Sequence, residues 1–164
     1  MLELFLYNWQ IREDWFSWSG RISADELTKT RIGGMRSILH NLYHVIDCEQ
    51  IWINQMEGAP VIVRDIAEIT SLSQVEAYSQ ETKAVTRRFL SSESSSSRFL
   101  EITRKSGETI RLTHQKILQH IAAHEIHHIG QLSVWAREMG IKPVSSDLVF
   151  ANSPRIEPAD WRRR

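Results

Sequence analysis

The stretch MRSILHNLYHVIDCEQIWINQM, residues 35–56, repeats apolar side chains at three- and four-residue intervals until Gly58 and Pro60 interrupt it. This periodicity predicts a long helix over 35–57. Three other segments carry the same period. Leu2, Leu6, Trp9, Trp15 and Trp18 mark a helix over 2–18, in which Arg12, Glu13 and Asp14 break the apolar pattern. Ser71 or Ser73 is the N-cap expected for a third helix reaching Leu90, and residues 114–139 form a fourth, stopped by Gly140 and Pro143. SADEL at 23–27 reads as a capped short turn of helix. RFLEITR and TIRLT alternate apolar and polar residues around KSGE, the signal of a short hairpin. Two strands do not make an independent domain. The expectation is an all-α protein: one four-helix-bundle domain over 1–164, with a small β-hairpin before the last long helix. The long connections after the first and second helices leave the order of the bundle open.

Composition narrows the function classes. The chain has 164 residues, 41% of them hydrophobic, enough for one domain with a core. Twenty basic and twenty acidic residues give zero formal net charge, which advertises neither nucleic acid nor an anionic membrane as a partner. The basic end Trp161–Arg164 is too short to change that. The beginning, MLELFLYNWQIRED, has no positive leader region, and no apolar run approaches the roughly 20 residues of a membrane span. These features predict a cytoplasmic protein. Cys48, the single cysteine, excludes an internal disulfide and fits a reducing compartment as a buried thiol. Six tryptophans are read as packing residues, and the tryptophan-rich first helix has an apolar face to offer a second copy in a homodimer. The polar run SSESSSSR at 91–98 reads as a solvated linker or frayed helix end.

Histidines carry the chemical signal. Residues four apart on a helix lie about 40° apart around its axis, so His120, His124 and His128 form one stripe and His40 and His44 another. Two imidazoles at this spacing can share a metal ion, and a third from a facing helix would complete a three-nitrogen site with an open position. His127 lies off the stripe. Gln131, seven residues past His124, returns to within about 20° of it. His124, Glu125 and His128 also spell H-E-x-x-H, the zinc-protease pattern. That reading fails on the third ligand: Gln131 and Val134 replace the glycine and histidine of one branch. Glu138 lies about 15 Å past His128 along the same helix, at roughly 1.5 Å per residue.

FLYNWQIREDWFSW, GGMRSILHNLYHVIDCEQIWI and HIAAHEIHHIGQLSVWAREMGIKPVSSDL together resemble the DinB/YfiT-like family along nearly the whole chain. The most specific pieces are the H-x-x-H-H-x-G-Q run at 124–131 and the block containing His44, Glu49 and Trp52. The resemblance implies a four-helix bundle carrying a divalent ion, zinc or nickel, on His44, His124 and His128. This chain departs from many relatives in having Ile129 where they have arginine. The implied chemistry is thiol-dependent S-transfer involving a low-molecular-weight thiol and a small electrophilic substrate, with metal-dependent hydrolysis as the alternative. A non-catalytic, metal-stabilised interaction module is the reading outside enzymology. Gln131, with Tyr43, is placed to orient a water or thiol. Glu125 is a candidate base, and Asp47 a candidate acceptor for an imidazole N–H.

Overall fold

Ser37 begins the second long helix: its backbone is extended, and its hydroxyl accepts the His40 amide hydrogen at 3.1 Å. The computed structural model describes residues 1–92, 98–104 and 106–151. Its elements are α1 (Leu2–Ser19), α2 (Ala24–Thr28), α3 (Ile38–Glu57), α4 (Leu72–Ser92), β1 (Phe99–Thr103), β2 (Thr109–Thr113) and α5 (His114–Glu138). Short 3-10 turns occur at Ile66–Glu68 and Leu148–Phe150. The helix expected from residue 35 thus begins at Ile38, because Gly34 (φ 49°) and Arg36 (φ 67°) adopt left-handed backbone that cannot continue a right-handed helix. Ser71, not Ser73, caps α4: its hydroxyl accepts from the Gln74 amide at 3.4 Å, while Ser73 lies within the first turn. Most of the polar run SSESSSSR, at 93–97, and the tail 152–164 with its basic end lie outside the described residues.

Two apolar clusters set the direction of each helix. One draws on Phe5 and Trp9 of α1, Ile53 and Met56 of α3, Phe89 of α4, and Ile117 and Ile121 of α5. The other draws on Ile11 and Trp15, Leu39 and Ile46, Val75 and Tyr78, and Ile129 and Trp135 from the same helices. Along the chain, α1 and α5 pass from the first cluster to the second, whereas α3 and α4 pass from the second to the first. The bundle is therefore up-down-down-up, with α3 flanked by α4 and α5, and α1 by the same two. Parallel neighbours α3 and α4 require a return along the bundle. The connection 58–71, at about 3.3 Å per extended residue, has reach to spare over a helix roughly 30 Å long. Gly58 (φ 69°) makes the sharp exit from α3 that starts this return.

The hairpin is antiparallel, with Leu100 opposite Leu112, and these two side chains pack against the first cluster. Thr113 ends β2 and caps α5, its hydroxyl accepting from the Lys116 amide at 3.1 Å. The hairpin therefore leads directly into the helix that carries most of the histidines. Trp9, Trp15, Trp18 and Trp135 are buried and Trp52 packs against the core, as their packing role predicts. No helix among the described residues is long and apolar enough to cross a membrane.

Between the clusters lies a buried polar layer. Arg12 Nη2 bonds Glu49 Oε2 at 2.6 Å and Glu125 Oε2 at 2.7 Å, Arg12 Nε bonds Glu125 Oε1 at 2.7 Å, and Arg12 Nη1 donates to Ser79 Oγ at 3.2 Å. One guanidinium thus joins all four long helices. Burial alone would push the Arg12 pKa down, but Glu125 and Glu49 raise it. For Glu125, burial outweighs Arg12 and raises its carboxyl above the ordinary range. Trp9 Nε1 adds a donor to Glu49 at 3.2 Å. Arg12→Leu strands two buried carboxylates, so it is expected to lower unfolding free energy by about 3–5 kcal/mol. Urea denaturation measures this, and a loss below about 1 kcal/mol would show that the layer is not a structural tie.

Candidate metal centre

Antiparallel neighbours α3 and α5 bring His44 of one histidine stripe against His124 and His128 of the other. His44 Nε2 stands 3.1 Å from His124 Nε2. His44, His124 and His128 each offer a ring nitrogen, and all three nitrogens lie within 4.8 Å of one another. The His128 ring centroid is 4.8 Å from that of His44 and 4.5 Å from that of His124. Two imidazole nitrogens bound to one ion at about 2.0–2.1 Å stand roughly 2.9–3.4 Å apart. The His44–His124 separation falls in that interval, and with His128 within 4.8 Å the three form a set that could hold a divalent cation.

The electrostatics also suit a ligand role, because an imidazole must be neutral to offer a lone pair. Burial, reinforced by His128, His44, His120 and His127, pushes His124 down to about 4. Burial also lowers His44, outweighing the nearby Asp47. It lowers His128 as well, although the Gln131 hydrogen bond works in the opposite direction. His124 Nδ1 is buried without a hydrogen-bond partner among the described residues.

His128 is the most firmly oriented of the three. Its Nδ1 lies 2.7 Å from Gln131 Oε1 and 3.0 Å from Asn41 Oδ1. Both neighbours are acceptors, so Nδ1 carries the proton and donates to them, leaving the Nε2 lone pair for a cation. Asn41 Nδ2 also donates to the His128 carbonyl at 3.0 Å. Sequence reasoning did not single out Asn41. Its signal was a polar residue within the apolar run, three positions before His44 and hence close to the same helix face.

The other sequence candidates occupy different places. Glu125 points into the polar layer, where Arg12 holds both of its oxygens, and so does not face the histidines as a base would. Gln131 spends its amide on two histidines, with Nε2 donating to His127 Nε2 at 3.1 Å. It orients a ring, where the sequence suggested that it orients a water or thiol. Asp47 accepts from Tyr43 and Tyr78 hydroxyls at 3.4 and 3.0 Å and, among the described residues, receives no imidazole N–H. Tyr43 is buried and stacked on Tyr78, a packing role. His40 Nε2 donates to the Ile69 carbonyl at 3.3 Å, fastening α3 to the return connection. His120 is exposed, its ring 5.8 Å from Trp52 and 5.6 Å from His124.

A family model described as DinB family matches residues 1–160. The chain is also 38% identical over 151 residues to a Bacillus subtilis (strain 168) protein named Uncharacterized protein YizA. That similarity covers 91% of this chain and 94% of the relative.

Two measurements check the surroundings of the histidines. Burial, with Asp47, Glu49 and Glu125 adding to it, pushes the Cys48 thiol up to about 12. Alkylation of Cys48 by iodoacetamide in the native protein is expected to be at least about tenfold slower than in urea; equal rates would refute a protected thiol. Asn41→Ala removes an acceptor and a donor from the α3–α5 contact and is expected to cost about 1–3 kcal/mol in chemical denaturation.

Proposed function

The chain belongs to the DinB family, and on that premise we propose that His44, His124 and His128 hold one divalent ion, zinc or nickel. The site then serves a metal-dependent transfer of a low-molecular-weight thiol to or from a small electrophile. The observation that carries this reading is the 3.1 Å apposition of His44 and His124 ring nitrogens, with His128 beside them. A divalent ion bound there supplies Lewis acidity, which makes a thiol or a water acidic near neutral pH.

One feature of the surrounding residues favours the thiol over water. Three neutral imidazoles bring no negative charge to the site, which favours an anionic partner, thiolate or hydroxide alike. Water is much the weaker acid of the two and gains more from a nearby base, and Glu125 is withheld from that task by its two bonds to Arg12. This favours thiol transfer over the hydrolase reading. Asn41 and Gln131 hold the proton of His128 on Nδ1, so that this ring presents Nε2 and does not rotate. A reducing cytoplasm, where Cys48 stays free and small thiols are maintained, is the compartment this chemistry requires.

Elemental analysis after purification without chelators tests the ligand set. Wild-type protein is expected to retain about one ion per chain, and His44→Ala, His124→Ala and His128→Ala each to lose it with helicity preserved. Retention in all three variants would remove the basis of the proposal. The loaded wild type should also consume thiol and electrophile together, whereas His124→Ala should not. An ion whose removal unfolds the protein, with no thiol-dependent reaction, would mark a structural centre in an interaction module.

A further inference from the structure

We infer that Gly34 is a positioning residue for the histidine centre: its missing side chain lets Gln131 and Asn41 both close on His128 Nδ1, and so fixes the tautomer of that ring. The inference rests on the reading of His44, His124 and His128 as metal ligands and adds a residue from outside the helices.

A methyl group at position 34 would stand 2.6 Å from Gln131 Oε1, 2.8 Å from Asn41 Oδ1 and 3.0 Å from the Trp135 ring. The two oxygens are the atoms that accept from His128 Nδ1. The neighbours differ in their freedom to give way. Asn41 is short and held at both ends, accepting from the Met35 amide at 3.3 Å and donating to the His128 carbonyl at 3.0 Å. Trp135 is buried, and its Nε1 donates to the Ile32 carbonyl at 3.1 Å, so it anchors the same loop that carries Gly34. Gln131 is half-buried on a flexible chain, and its other contact is to the exposed His127. An added methyl group therefore displaces Gln131 first. The fold gives up little in that movement, but His128 loses its shortest hydrogen bond and keeps Asn41 as the remaining acceptor at Nδ1, which weakens the preference for a proton there. With the proton on Nε2 the lone pair no longer serves a cation.

Gly33 provides an internal control. It too has left-handed backbone (φ 82°, against 49° for Gly34), but a methyl group there meets nothing within 4 Å. Gly33→Ala and Gly34→Ala thus both place alanine in unfavourable backbone, and only the second touches the site.

The test compares these variants with Gln131→Ala by long-range proton–nitrogen NMR of the histidine rings in metal-free protein, and by zinc competition against a chromophoric chelator. Gly34→Ala is expected to move His128 away from a single Nδ1–H form and to weaken zinc binding about 10–100-fold. Gly33→Ala should change neither, and Gly34→Ala in the Gln131→Ala background should add little to Gln131→Ala alone. If Gly34→Ala does not fold, recovery of folding in the double variant supports a clash with Gln131, and failure of the double variant overturns it. An Nδ1–H signature in Gly34→Ala identical to that of Gly33→Ala also overturns the inference. Absence of zinc binding in the wild type with the tautomer shift intact would instead sink the metal-centre reading and leave the role of Gly34 standing.

Discussion

The Arg12 guanidinium, buried between Glu49 and Glu125, is the interaction on which the arrangement of the bundle depends. Helices that meet through apolar side chains alone can rotate or slide at modest cost, because hydrophobic burial is non-directional. A buried cation shared by two carboxylates permits neither, since any shift leaves a charge without its partner. Glu125 directly follows His124, about 100° further round α5, so fixing Glu125 toward Arg12 turns His124 toward α3. Glu49 performs the same service for α3, five residues after His44. The polar layer thus sets the rotation of both histidine-bearing helices from behind, while the histidines occupy the groove between them.

This division of labour explains why a pattern spelled like a protease site does different work. In H-E-x-x-H the glutamate is an asset to hydrolysis only if it faces the cation. Here the two residue types point to different neighbours: the histidines to His44, the glutamate to Arg12. Burial lowers the histidine pKa values and raises that of Glu125, so one apolar environment disfavours charge on both kinds of group. Glu125 has the Arg12 cation at hand, and this pairing commits it to structure.

Much of the fold was legible because it is local. Helix periods, the Ser23 and Ser71 caps and the alternation in β1 and β2 depend on residues within a turn or two of each other, and the elements follow them closely. The first turn expected of α3 failed for a local reason too, since Arg36 adopts a backbone that residue type rarely chooses. The histidines brought together are those that spacing and family resemblance had named. What the sequence did not disclose is long-range. Arg12 and Glu125 are 113 residues apart, and nothing near Arg12 distinguishes a buried ion pair from an interruption of an apolar face. The direction of α4 beside α3 follows from how the two clusters are shared, which periodicity does not encode. Asn41 and Gln131 acquire their meaning only when His128 is placed between them.

Whether imidazoles from α3 and α5 share one cation decides what this centre is. A crystal structure of zinc-loaded protein, with anomalous differences collected across the zinc edge, addresses this most directly. The account predicts a single strong peak about 2.0–2.1 Å from a ring nitrogen of each of His44, His124 and His128. A peak held by His120 or His127 instead, with His44 and His124 still joined by their own hydrogen bond, would contradict it.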